Sequence, residues 1–259
     1  MDRKMWCRHK WDAVFLVLCL GLLFSSLGAV GPSGRRRAKE FVCLANLHRW
    51  GTVFEAFVED NDGYFLSGNG GGIGFWWIET LWPYHEDRRL LLCPQAPSPV
   101  LGPEPPNPAF LAWQANEYVG SYGLNGWVCN VSDEWGVWGR SPGSEYWKRP
   151  DVQGSGNIPV FGGMWWVDAW PRAVDVPPAA GGMLLPDRPN LNEMQRLCVN
   201  RHNGAENLLF MDFSARKVGL KELWTLKWHK GYETAGAWTK AGGVSAGDWP
   251  DWLRPFKDY

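Results

Sequence analysis

The apolar positions of this chain follow three successive patterns. Residues 13–31, AVFLVLCLGLLFSSLGAVG, are 19 residues with no charge and two serines. As an α-helix this run would extend roughly 28 Å, close to the hydrocarbon thickness of a bilayer. It also lacks the polar face of a soluble helix, so a transmembrane anchor is expected here. The run is long for a signal peptide, although Ala29-Val30-Gly31 offers small residues for a cut. Gly31-Pro32-Ser33-Gly34 should interrupt the helix.

The second pattern is a stripe at three- and four-residue spacing. Phe41, Leu44, Ala45, Leu47, Trp50, Phe54, Phe57 and Val58 predict an amphipathic helix over 35–59. Asp60-Asn61-Asp62-Gly63 should end it as a turn. The same residues resemble the start of a calcium loop, but Gly71 stands where the distal glutamate would be needed, so a plain turn is expected.

Beyond residue 63 the chain reads as short strands and loops. Phe75-Trp76-Trp77-Ile78, Val160-Phe161, Met164-Trp165-Trp166-Val167 and Asn207-Leu208-Leu209-Phe210-Met211 are aromatic or branched runs bounded by Gly and Pro. Residues 221–228 fit a short helix or a strand, and Pro-rich stretches at 94–108 and 171–189 read as surface insertions. The organisation expected is a basic head and anchor (1–34), an amphipathic helix (35–62) and a β-rich, Trp-rich domain (63–259).

Charge sharpens this picture. The net charge of the 259 residues is −1, which argues against nucleic acid as a partner. Clusters at Arg3, Lys4, Arg8 and Lys10 and at Arg35, Arg36, Arg37 and Lys39 flank the apolar run, leaving an acidic body. That asymmetry fits a chain that starts at a membrane. With 45% apolar and 15% aromatic residues the chain is not a disordered scaffold. Nineteen tryptophans raise the alternative of a glycan-binding surface module with exposed indoles. In strands, Trp76-Trp77 and Trp165-Trp166 would each send one ring to either face.

Chemistry-bearing residues are sparse. Cys43, Cys93, Cys129 and Cys198 lie in the body and are candidates for disulfides or buried thiols, with three pairings open. Cys198-x-x-x-His202 could set two zinc ligands on one helical turn, with His48, His85 or His229 completing a site. No second pair has zinc-finger spacing, so no metal ligand and no cofactor is assigned. His202 and Asp212 have the types of a catalytic base and its orienting acid, but the strand between them should hold them some 16 Å apart. No nucleophile elbow is present. A non-enzyme is expected, with no catalytic residue.

Taken in order, several short blocks resemble prepilin-type, pseudopilin-like proteins of bacterial type II secretion. The blocks are Arg35-Arg36-Arg37-Ala38-Lys39 leading to Cys43-Leu44-Ala45-Asn46-Leu47, then Asp60-Asn61-Asp62-Gly63, Cys93-Pro94 and Ser121-Tyr122-Gly123-Leu124-Asn125. Asn157-Ile158-Pro159-Val160-Phe161 and Arg201-His202-Asn203-Gly204 with Asn207–Asp212 follow, the last fitting the branch with a histidine, nine residues and Asp-Gly. The resemblance covers a little under half the chain. It implies an α+β, pilin-like fold: an N-terminal transmembrane helix continuing into an amphipathic helix packed on an antiparallel sheet.

It further implies a structural subunit at the bacterial cytoplasmic membrane, single-pass through 13–31 with its C-terminal domain extracytoplasmic. Its partners would be copies of itself, other pseudopilins or the secretion machinery. His202, Asn203, Gly204 and Asp212 would be structural. The processing glycine and the glutamate of a prepilin leader have no counterpart near Asp12-Ala13, and Phe213 replaces the usual glycine. Since Phe disfavours positive φ, a different turn is expected there.

Overall fold

The computed structural model describes residues 31–68, 76–96, 110–137, 142–180 and 192–259. The chain divides into two units, Met1–Lys39 and Glu40–Tyr259. Of the first, only the opening turns of helix α1 (Pro32–Asp60) are described.

Two expectations are corrected at this helix. The chain is α+β, but among the described residues no helix is long and apolar enough to cross a membrane. The expected transmembrane helix is thus not found, and residues 13–30 lie outside the described ones. The apolar residues from which Gly31-Pro32-Ser33-Gly34 should separate α1 are among these. The helix also starts earlier than the expected Arg35: Pro32 is the first residue of α1, and the Arg35 N–H donates to the Gly31 carbonyl at 3.1 Å. Proline lacks an N–H that would be unpaired at that position anyway.

Within the second unit α1 buries Cys43, Leu47, Trp50, Val53, Phe54, Phe57 and Val58. Of the expected stripe, Leu47, Trp50, Phe54, Phe57 and Val58 are buried, whereas Phe41 and Ala45 are exposed and Leu44 is half-buried. The helix closes with Asp62 in the left-handed region (φ 55°) and the Gly63 N–H donating to the Val58 carbonyl at 2.9 Å. That six-to-one bond satisfies a terminal carbonyl. The Asn61 side chain adds a bond to the Phe57 carbonyl at 2.7 Å.

The main sheet has five strands in the order β5-β3-β4-β6-β7, formed by β3 (Tyr122–Asn125), β4 (Pro159–Gly163), β5 (Asp168–Ala169), β6 (Ala205–Phe210) and β7 (Ala215–Gly219). It is mixed and not purely antiparallel, because β5 pairs parallel to β3. A separate hairpin joins β1 (Trp113–Ala115) and β2 (Tyr118–Gly120). β4 and β6 are buried along their whole length. An aromatic core joins helix to sheet: the Trp50 ring lies 4.9 Å from Phe161 and 5.6 Å from Trp77, centroid to centroid.

The expected strand at Phe75-Trp76-Trp77-Ile78 is instead helix α2 (Trp76–Leu81), whose Trp77, Ile78 and Leu81 are buried on one helical face. Met164-Trp165-Trp166-Val167 is irregular, and strand β5 begins just after it. A 3₁₀ helix spans Leu220–Thr225. Residues 97–108 and 181–189 of the Pro-rich stretches lie outside the described residues. In 171–180 Pro171, Asp175, Pro177 and Pro178 are buried, so that part packs into the body and is not a surface insertion.

The tryptophans hold this loop-rich body together. Among the described residues nine indole N–H groups donate to backbone carbonyls, including Trp50 to Leu90, Trp77 to Val167, Trp127 to Pro171 and Trp224 to Asp175. Each satisfies a buried or half-buried donor while fixing its partner segment. The opposed faces expected of Trp165 and Trp166 do not arise, since the segment is not a strand and both rings are half-buried.

Candidate functional site

The geometry of interest is built on the face of α1 that carries Cys43, Asn46 and Trp50 at successive turns. The Trp50 indole donates to the Leu90 carbonyl at 2.9 Å and the Asn46 amide to the Leu92 carbonyl at 3.2 Å. These two bonds lay residues 90–92 along the helix and bring Cys93 to Cys43. From β3 and the residue before it, Ser121 Oγ accepts the Cys93 N–H, and Tyr122 donates its hydroxyl to the Cys43 sulfur at 3.2 Å.

His202 enters from the turn before β6. Its Nε2 lies 3.5 Å from Cys93 Sγ and 4.0 Å from a Glu206 carboxylate oxygen. The Gln95 side-chain amide lies 3.4 Å from Nδ1. Cys43 Sγ, Cys93 Sγ and a His202 ring nitrogen all fall within 4.8 Å of one another, and all three residues are buried. Glu206 is fully buried, and neither of its carboxylate oxygens has a hydrogen-bond partner. Gly163 on β4 makes room for it, since any side chain there would collide with that carboxylate. Arg201 stands nearby, its guanidinium held by the carbonyls of Ser121, Met164 and Leu111 at 2.8–3.0 Å.

Protonation follows from this crowding. A hydrogen bond from Cys43, with His202 alongside, pulls the Cys93 thiol down to about 4, while the same bond and burial push Cys43 well up. Burial lifts Glu206 to about 7 against the pull of His202 and Arg201. Burial lowers the His202 imidazole, but Cys93 and Glu206 outweigh it and raise it overall. The cluster therefore concentrates anionic donors around one imidazole.

The other residues singled out from sequence fall elsewhere. Cys129 and Cys198 are buried free thiols, as are Cys43 and Cys93, so none of the three possible disulfide pairings is formed. Cys198 is not among the residues grouped with His202, so the Cys198-x-x-x-His202 pairing is replaced by Cys93 and Cys43. His229 pairs with Glu145 at 2.6 Å. Strand β6 separates His202 from Asp212, whose carboxylate accepts from the Ser214 N–H and hydroxyl at 3.0 and 2.6 Å. Asn203 and Gly204 form a left-handed turn (φ 55° and 82°) ahead of β6.

Phe213 also adopts φ 60°, so the turn keeps the left-handed geometry that the Asp-Phe sequence argues against. Bonds from Phe213 N–H to the Phe210 carbonyl and from Phe210 N–H to the Ser214 carbonyl hold it there. Asp60, Asn61, Asp62 and Gly63 belong to the turn expected of them, and the first three edge an open hollow of about 460 Å³, shared with Tyr64 and Asn130. Glu206 escaped notice in the sequence, where it reads as an ordinary polar strand residue.

No protein-family model matches this chain, and neither a curated protein nor a solved structure matches it.

Proposed function

We propose that this protein is a pilin-like structural subunit that works by association and not by catalysis. The observation that carries the reading is on α1. Phe41 and Val42 are 71% and 50% exposed on a helix whose opposite face is packed on a largely antiparallel sheet. Exposed apolar residues side by side on a helix support docking against another helix, and a second copy of the chain supplies one. The ordered motif blocks and the structural roles of the Asp60–Gly63 and Asp212–Ser214 turns support the same reading. The glycan-binding alternative draws less support, because the indoles are largely consumed in the interior; among the described residues Trp135 is the exposed exception.

Sedimentation of the purified chain over a range of concentrations tests this. Association that rises with concentration and is lost in the Phe41→Glu/Val42→Glu variant is the expected result. A monomer at every concentration, or association unchanged in the double variant, would overturn it.

A further inference from the structure

We infer that Cys43, Cys93 and His202 form a structural site for a divalent, thiolate-preferring metal ion such as Zn²⁺, with Glu206 at its open side. This inference does not depend on the assembly role. It rests first on geometry. In a tetrahedral zinc site with Zn–S near 2.3 Å and Zn–N near 2.0 Å, sulfur and nitrogen sit about 3.5 Å apart and two sulfurs about 3.8 Å apart. Cys93 Sγ and His202 Nε2 are at 3.5 Å, and the Cys43 sulfur completes a triangle with no edge above 4.8 Å. A two-sulfur, one-nitrogen donor set selects zinc among the common divalent ions.

The second support is the surroundings. Donors point at both sulfurs: the Gln95 N–H at Cys93 (3.4 Å) and the Tyr122 hydroxyl at Cys43 (3.2 Å). Hydrogen bonds to sulfur stabilise thiolate, the form that binds metal. The Gln95 side-chain amide nitrogen lies 3.4 Å from Nδ1; with the amide flipped, its oxygen faces the Nδ1 proton, which leaves Nε2 for the ion. Glu206 holds two buried oxygens without hydrogen bonds, one 4.0 Å from Nε2. A small inward shift makes it the fourth ligand, or it holds a water in that position. Two thiolates and a carboxylate then face a divalent cation and the nearby Arg201, so the buried charges balance.

The site ties α1, the loop at Cys93 and the start of β6 into one unit. Binding releases to solvent the Cys43 thiol proton and, from an imidazolium, the proton on the His202 nitrogen that takes the ion, and it changes no oxidation state. The test is titration of the full-length, reduced chain with Co²⁺ under anaerobic conditions, followed by absorption. One equivalent should give thiolate-to-cobalt charge-transfer and intense tetrahedral ligand-field bands, erased by one equivalent of Zn²⁺. Cys43→Ser and Cys93→Ser should abolish the bands, His202→Asn should abolish or shift them, and Glu206→Gln should weaken binding by at least ~10-fold. Cys129→Ser should leave them intact.

Circular dichroism identifies any variant that fails to fold, and Glu206→Gln, the mildest change, then carries the test. Absence of the bands in the wild type would overturn the inference. So would bands that survive in a folded Cys93→Ser chain, or a reduced chain that takes up no cobalt and reoxidises to a Cys43–Cys93 disulfide.

Discussion

The carbonyl oxygen of Phe213 lies 2.7 Å from where a β-carbon on Gly51 would sit, so the tip of the β6–β7 hairpin rests on the backbone of α1. Leu209 Cδ1 lies at 3.2 Å from the same point. Alanine in mid-helix is ordinarily favoured over glycine by roughly 1 kcal/mol. Here the added methyl must push a backbone carbonyl, and overpacking of that kind costs about 1–3 kcal/mol. Gly51→Ala is therefore expected to lower the denaturant midpoint with an unchanged slope. A midpoint equal to or above the wild type would show that the hairpin does not press on the helix.

Arg196 reaches two buried carboxylates at once. Its Nη1 lies 3.1 Å from Asp168 Oδ1 and 3.4 Å from Glu193 Oε2, and it also donates to the Asp168 carbonyl at 3.0 Å. The Trp170 N–H donates to the same Glu193 oxygen at 2.7 Å. Withdrawing the cation while the acids stay buried costs about 3–5 kcal/mol in comparable pairs. Arg196→Met should destabilise by that order, and Glu193→Gln should cost less in the Arg196→Met background than in the wild type. Equal costs in both backgrounds, read from urea unfolding, would remove the coupling.

Asp175 gives a pH dependence of known sign. Burial raises its carboxyl to about 6, against two backbone N–H donors from Arg172 and Met194 at 3.0 and 2.9 Å; Glu193 adds to the rise and Arg172 opposes it. In the unfolded chain the group titrates near 3.9. Between those values the folded state holds more protons, so this group's contribution to stability falls as pH rises from about 4 to about 6. The whole span is on the order of 3 kcal/mol. Asp175→Asn should gain on the wild type across that window and track it below pH 4. Parallel stability curves from pH 4 to 7 would show that Asp175 titrates normally.

Helix α1 is legible because Leu47, Trp50, Phe54, Phe57 and Val58 recur at helical spacing and are buried, although Phe41 and Ala45 of the same stripe face solvent. Its start lies at Pro32, a compatible first residue, and not at Arg35. Trp76-Trp77-Ile78 is too short for periodicity to separate strand from helix, and Leu81 completes the helical face only once the chain has coiled. The left-handed Phe213 ran against residue preference because hydrogen bonds on either side and the contact with Gly51 over-determine it. Of the candidate site, Cys43, Cys93 and His202 each stood inside a motif block. Their meeting depends on indole and amide bonds from Trp50 and Asn46 to a distant loop, and no local spacing encodes it. Glu206 became visible only through its burial.

The helix and its cover are far apart in time as well as in sequence. Leu209, which meets α1 at Gly51, is made about 150 residues after the helix ends. At ribosomal rates of about 5–20 residues per second, the stripe from Cys43 to Val58 is complete roughly 7–30 s before the strand that shields it exists. During nascent-chain growth the helix has α2 and residues 84–92 to rest on, while the face that meets β4 and β6 stays uncovered. Until the sheet exists, that uncovered face is open to a chaperone or to the helix of a neighbouring copy.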